Sequence, residues 1–407
     1  MVSLPNLGIF RKISIVESPS YVGHYHALQD IFLMHLDHKR YNLPGVYLAV
    51  KEADQTIQYF SSGFADVAKQ LPFAPQRLFR VGHITRIFTA VLVLRLVEQG
   101  LLDLAMPLEQ LSTVHKADNG LLHLLVQQYP FLKPVSTQEL LLQTSGLPSF
   151  DRALGFHHMF LKKPKKKFQI ENYLDAISGM AARYQSGYLN PARGRFSEST
   201  TNYFLAGLVI EAVMGMPVSH AMSQLFADNH LDQTEYLSYG MLPKNKVAQM
   251  VRAYLPPSHP CAGSFKRCDT LEYNQNKELK VLDVTADYGA YGMANAAVVS
   301  SAQDLVTWMH RLNTSEVIVK HEMLFPAALQ VSATVKEDHY AMGLYKTRFN
   351  RKTEVVWTAG NSLGYGVLLL HIPSSQKTAI VVSNVSRNFF SLHADGFVAD
   401  LLVDLLQ

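Results

Sequence analysis

Cysteine is nearly absent from this chain. Its 407 residues include two, Cys261 and Cys268, too few for a framework of disulfides. Charge of one sign is scarce as well: 37 Lys and Arg stand against 33 Asp and Glu, a net charge of +4. So mild a balance gives no ground for nucleic-acid binding. No apolar run reaches membrane-spanning length. The best candidate, residues 88–106, carries Arg95, Glu98 and Asp103, so no transmembrane span is expected. The first twenty residues lack a basic start followed by an apolar stretch. A secretory leader is therefore not expected, and cytoplasmic residence is the default. Metal ligands are thinly spread: His259, Cys261 and Cys268 lack a fourth partner, and His35 with His38 stand without companions. Neither a metal nor another cofactor is expected.

What is present is apolar substance. The chain is 48% hydrophobic and 17% charged, long enough for a large core and typical of a soluble globular protein. Residues 24–39 place Leu28, Ile31, Phe32, His35 and Leu36 at helical spacing. Residues 46–50 and 56–60 read as two strands around the turn Glu52, Ala53, Asp54, Gln55. A buried helix runs over residues 87–99, with His83 or Thr85 at its start and Gly100 as its C-cap. Ser136 or Thr137 caps a short helix expected to end at Gly146, and residues 195–211 lead into another buried helix. Ser301 and Asp304 form a Ser-x-x-Asp cap before an amphipathic helix through Met309. Strands are expected at 341–347, 354–358, 364–372 and 378–385, then a terminal helix over 391–406.

Strands at both ends with helices between them predict an α+β fold. Its antiparallel sheet is assembled from N- and C-terminal segments and flanked by helices, with a mainly helical lobe inserted. The chain reads as a single domain, with a sheet lobe over about 20–80 plus 300–407 and a helical lobe over about 81–300.

Several short patterns invite a chemical reading. Gly360, Ser362 and Gly364 satisfy Gly-x-Ser-x-Gly, but a nucleophile elbow needs a helix after the serine, and the residues after Ser362 read as a strand. Ser374 and Lys377 satisfy Ser-x-x-Lys but fall in a hairpin turn. Ser197 and Ser199 flank Glu198, which has the chemistry to accept a proton from a relocated nucleophile. The basic run 162–167 (Lys162, Lys163, Lys165, Lys166, Lys167), near His157 and His158, is either a solvated loop or a contact for an acidic partner. No pattern speaks to the oligomeric state.

Five segments together carry a family resemblance: 79–100, Thr144 to Leu147 (Thr-Ser-Gly-Leu), 203–211, 301–305 and 360–365. From about residue 43 onward the chain resembles the serine β-lactamases and penicillin-binding proteins, closest to the class C-like branch that also holds esterases, peptidases and acyltransferases. In that family a helix-start serine attacks a carbonyl, and a lysine one turn later eases its deprotonation. A tyrosine from a Tyr-x-Asn motif shuttles the proton, and a Lys/His-Thr-Gly strand lines the opposite wall. Two backbone N–H groups hold the oxyanion.

Carried over by resemblance, the serine falls on His83 and the lysine on Arg86. The tyrosine falls on Glu198, the asparagine on Thr200, and the strand triplet on Thr358, Ala359 and Gly360. Gln143 stands where a His is usual in the family. Only the glycine of the triplet is kept. His83 has no hydroxyl to acylate, and an arginine stays protonated at any physiological pH. The resemblance implies that His83 and Asn361 would supply the anion-hole N–H groups, with Thr358 and Gly360 beside them.

The expectation is therefore a pseudoenzyme that binds a small anionic or carbonyl ligand, or a partner, in a cleft marked by His83, Arg86 and Glu198. Within it, Arg86 either holds the anion or pairs with Glu198. The alternative is a divergent esterase, amidase or acyltransferase using His83, Glu198 and Ser199.

Overall fold

The structure, a computed structural model, describes residues 44–52, 56–115, 120–150, 193–237, 244–255, 270–273, 279–285, 293–325, 331–332, 338–349 and 353–385, with two isolated helical positions at 176 and 179. The expected helices at 24–39 and 391–406, the basic run 162–167, and His35, His38, His157, His158, His259, Cys261 and Cys268 lie outside the described residues.

Among the described residues, eight strands form one sheet: β1 (Gly45–Lys51), β2 (Gln58–Gly63), β3 (Val331–Ser332), β4 (Asp338–Ala341), β5 (Leu344–Phe349), β6 (Thr353–Ser362), β7 (Tyr365–Ile372) and β8 (Lys377–Ser383). Their spatial order is β2-β1-β8-β7-β6-β5-β4-β3, every pair antiparallel. The first strand lies inside the sheet because β8 returns to pair with it, Val46 opposite Ser383 and Lys51 opposite Thr378. The sheet is thus built from distant segments of an α+β chain, as expected. All eight residues of β7 are buried, so Tyr365, Val367, Leu368, Leu369 and Leu370 read as a nearly continuous apolar run instead of an alternating one.

Three long helices matter for the site: α1 (Thr85–Glu98), α2 (Thr200–Met214) and α3 (Ala302–Thr314). Eleven of the 14 residues of α1 are buried, so it is a core helix with apolar side chains all round. It ends as read: Gly100 adopts φ 70° and its N–H reaches Val97 O, while Leu101 N–H reaches Leu96 O. α3 is amphipathic and lays its apolar face on β1, β7 and β8. Ser301 caps it by accepting from Asp304 N–H at 3.1 Å. Asp304 does not complete the reciprocal box; its Oδ2 instead accepts from Gln233 N–H and the Thr234 hydroxyl.

Two readings need correction. The strand expected at 341–347 is two strands, because Met342 and Gly343 turn at φ 52° and 85°. The helix expected to run from 136 to Gly146 covers Thr137–Leu141, with Ser136 forming a full capping box with Glu139. It stops because Gln143 takes φ 60°, a left-handed conformation that a helix cannot continue through. Among the described residues, no single helix is long and apolar enough to cross a membrane.

Candidate functional site

The site begins where α1 meets β6. A single 3-10 turn, Gly82–Ile84, precedes α1 and carries half-buried His83. Neither His83 nor Thr85 caps the helix through its side chain; Thr85 Oγ1 accepts from Val298 N–H at 3.1 Å instead. Two glycines let the turn and strand touch. Gly82 has φ 55°, and a Cβ there would come within 2.5 Å of Asn361 O. A Cβ on Gly360 would sit against Val81 O, well inside any permitted contact. This close approach of backbone to backbone is why both positions hold glycine.

Arg86, in the first turn of α1, is 3% exposed. Its Nε donates to Asn295 Oδ1 at 2.8 Å, and its Nη1 donates to Glu198 Oε1 at 3.1 Å. The guanidinium carbon lies 5.6 Å from the Tyr203 ring centroid. Burial opposes its charge, but Glu198 and the neighbouring phenols more than restore it and hold the guanidinium above its ordinary value. Glu198 sits just before α2. Burial pushes its carboxyl upward, but Arg86, then His83, and hydrogen bonds from Tyr345 and Arg86 outweigh it and hold the group down to about 2. The Tyr345 hydroxyl donates to the same Oε1 at 2.6 Å. Burial first, and Glu198 second, raise that phenol well beyond its usual range, so Tyr345 remains a donor.

Of the two expected roles for Arg86, the ion pair is the one found. An anion anchored on Arg86 is not supported, because the guanidinium is shielded and already engaged by Asn295 and Glu198.

Ser199 is placed differently from what a relocated nucleophile needs. It precedes α2 and is 2% exposed. Among the described residues its Oγ has no hydrogen-bond partner, Glu198 included. Its backbone N–H donates to Gln143 Oε1 at 2.8 Å, and Asn202 Nδ2 donates to the same atom at 2.6 Å. Ser145 Oγ donates to Asn202 Oδ1 at 2.6 Å. Gln143 is therefore the junction that fixes the backbone bearing Glu198 and Ser199; Ser197 N–H also bonds its main-chain oxygen at 2.8 Å.

The opposite wall is β6. Thr358 is buried, Ala359 is half-buried and Asn361 is exposed near the strand's end. Ser362 is the last residue of β6 and leads into β7 with no helix following, and Ser374 lies in the turn before β8. Neither stands at a helix start. Among the described residues, no group of three or more His, Cys, Asp or Glu side chains is placed to hold a metal ion.

Sequence reading missed Tyr345, Tyr340 and Asn295. Tyr340 donates to the Tyr203 hydroxyl at 3.3 Å, and Tyr203 donates to Leu141 O at 3.0 Å. Tyr345 stacks on Trp357 at 4.5 Å between centroids. Both tyrosines come from the hairpin β4–β5, whose Gly343 lies against the Arg86 and Ile87 backbone. No sequence pattern ties a hairpin 250 residues downstream to α1. Gln143 alone left a signal, as a departure from the family's usual histidine.

Known proteins similar to this chain agree with the frame. Over 350 residues it is 23% identical to penicillin-binding protein 4* of Bacillus subtilis, covering 85% of this chain and 69% of that protein. It is 20% identical to protein flp of Staphylococcus aureus, covering 87% of this chain and 62% of that relative's length. Among solved structures, the D-amino acid amidase of Ochrobactrum anthropi SV3, crystallised with L-phenylalanine amide, superimposes with a TM-score of 0.71 at 20% identity, covering 94% of this chain and 98% of that one. The model of the beta-lactamase family matches residues 28–403. With the sheet, the buried α1 and the turn against β6 all in place, this chain belongs to the beta-lactamase family.

Proposed function

We propose that this chain is a binding protein on the beta-lactamase fold, without Ser-Lys-Tyr acyl transfer. One observation carries the reading. At the position where the family keeps its lysine, Arg86 is buried, hydrogen-bonded to Asn295 and paired with Glu198. A guanidinium held this way has no lone pair to offer as a base. Its neighbour His83 has no hydroxyl to acylate, and Glu198, held down to about 2, is a poor proton acceptor near neutral pH.

A second reading has its own support. His83 lies near enough to Glu198 to act on its carboxyl, and an imidazole oriented by a carboxylate is a general-base arrangement. Structural likeness to an amidase points the same way, toward cleavage of amides or esters by rebuilt catalysis.

The two readings part in one experiment. The purified protein is treated with a fluorophosphonate and a fluorescent penicillin, followed by intact mass, and assayed with nitrocefin and p-nitrophenyl esters. The binding reading expects no adduct and no turnover above buffer. Turnover lost in His83→Ala and Glu198→Ala, with folding intact, would establish the enzyme. An adduct that survives His83→Ala but disappears in Ser199→Ala would establish a relocated serine.

A further inference from the structure

Arg86 and Glu198 form an ion pair whose two members differ in access. The Arg86 side chain is 4% exposed, whereas that of Glu198 is 39% exposed. A molecule entering from solvent meets the carboxylate and not the guanidinium. Glu198 Oε1 already accepts from Arg86 and Tyr345, but a carboxylate has roughly four acceptor positions across its two oxygens. Capacity for a further donor remains.

The opposite wall carries no positive charge to compensate. Where the resemblance places a lysine or histidine and then a threonine, β6 has Thr358 and Ala359, one buried and neither cationic. A carboxylate ligand would face Glu198 with like charge and find Arg86 shielded behind it, while the half-buried imidazole of His83 already acts on that same carboxyl. An ammonium would bring three donors to an acceptor that is ionised throughout the physiological range.

The flank of Glu198 is aromatic. Tyr345, whose hydroxyl touches it, is half-buried and stacked on Trp357; half-buried Phe196 stands edge-on to Tyr345 at 6.4 Å. Such rings accept an apolar substituent, and their faces attract cations.

We infer that the solvent-facing side of Glu198 takes a small primary amine bearing an aromatic or comparable apolar group, its ammonium held against the carboxylate beside Tyr345 and Phe196. This rests on the binding reading above and differs from the anionic or carbonyl ligand expected from the sequence.

The test uses the full chain and three probes of similar shape: phenylalanine amide, N-acetylphenylalanine amide and 3-phenylpropionate. Binding is followed by titration calorimetry and ligand-observed NMR at low ionic strength. Phenylalanine amide is expected to bind about tenfold more tightly than its N-acetyl form, with 3-phenylpropionate weakest. Glu198→Gln is expected to remove that tenfold advantage and leave N-acetylphenylalanine amide unchanged. Should Glu198→Gln fail to fold, the ranking of the three probes on the unaltered protein decides alone. Equal or tighter binding of the acetylated or anionic probe overturns the inference, as does no binding of phenylalanine amide. Conversion of phenylalanine amide to phenylalanine would instead overturn the binding-only reading while leaving the ammonium preference standing.

Discussion

The Tyr345 hydroxyl donates to Glu198 Oε1 at 2.6 Å, the same oxygen that receives Arg86 Nη1 at 3.1 Å. One carboxylate atom thus ties a hairpin of the sheet to the first turn of α1. Tyr345→Phe removes the hydroxyl and keeps the ring on Trp357. The loss expected is about 1 kcal/mol, below the usual value for a hydrogen bond to a charged group because Glu198 is partly exposed. Chemical denaturation would measure it, and the Glu198 carboxyl, followed by NMR, should titrate higher than in the parent.

Arg86 offers a harsher contrast. Arg86→Met keeps the apolar stem but leaves Glu198 without its main counter-charge and Asn295 Oδ1 without its donor. Breaking a buried pair from one side costs about 3–5 kcal/mol, and the exposure of Glu198 lowers that to about 2–3. The double variant Arg86→Met with Glu198→Gln should recover about half of the loss, since the orphaned charge is then gone. A double variant no more stable than Arg86→Met would show that the orphaned Glu198 charge is not the source of the loss.

His371 predicts a separate response to acid. It is 1% exposed, lies 2.8 Å from Thr378 Oγ1, and packs edge-on to His310 at 6.0 Å. Burial, then His310 and His321, lower it from 6.5 to about 4. A depressed folded value means that the unfolded chain takes up the proton first, so stability is intact above pH 6.5 and is lost as pH falls toward 4. The loss at pH 4 is on the order of 2–3 kcal/mol. Glu198, also depressed, adds a further loss between 4.5 and about 2. In His371→Gln the upper step should vanish while the lower one persists, as read by denaturant titrations across pH.

How much of this was legible beforehand depended on the range of the interaction. Helix α1, its Gly100 end and the Ser301 cap are written in neighbouring residues, and the expected Arg86–Glu198 pair came from family spacing. The Met342–Gly343 turn was not legible, because Met342 is buried and continues the apolar run from Tyr340 to Leu344. The break at Gln143 was hidden for a related reason: its left-handed backbone is held by bonds to Ser197, Ser199 and Asn202, more than fifty residues away. Local propensity carries no trace of such tertiary bonds. Which charge is reachable was not legible for the same cause, since only packing decides that Arg86 is covered and Glu198 is not.

Gly360 tests the backbone contact on which the site is founded. The strand passes so close to Val81 that Gly360→Ala would drive its methyl group into Val81 O and toward Ile84 Cγ1. Both sides are main chain or core, so neither yields cheaply, and a loss above about 3 kcal/mol is expected. Gly100→Ala supplies the comparison. Nothing lies within 4 Å of a Cβ there, so only the φ of 70° resists it, and about 1 kcal/mol is expected. Thermal unfolding of both variants would separate a steric cost from a conformational one. Equal losses would mean that β6 can shift away from the turn, and the close approach of Gly82 to Asn361 would go with it.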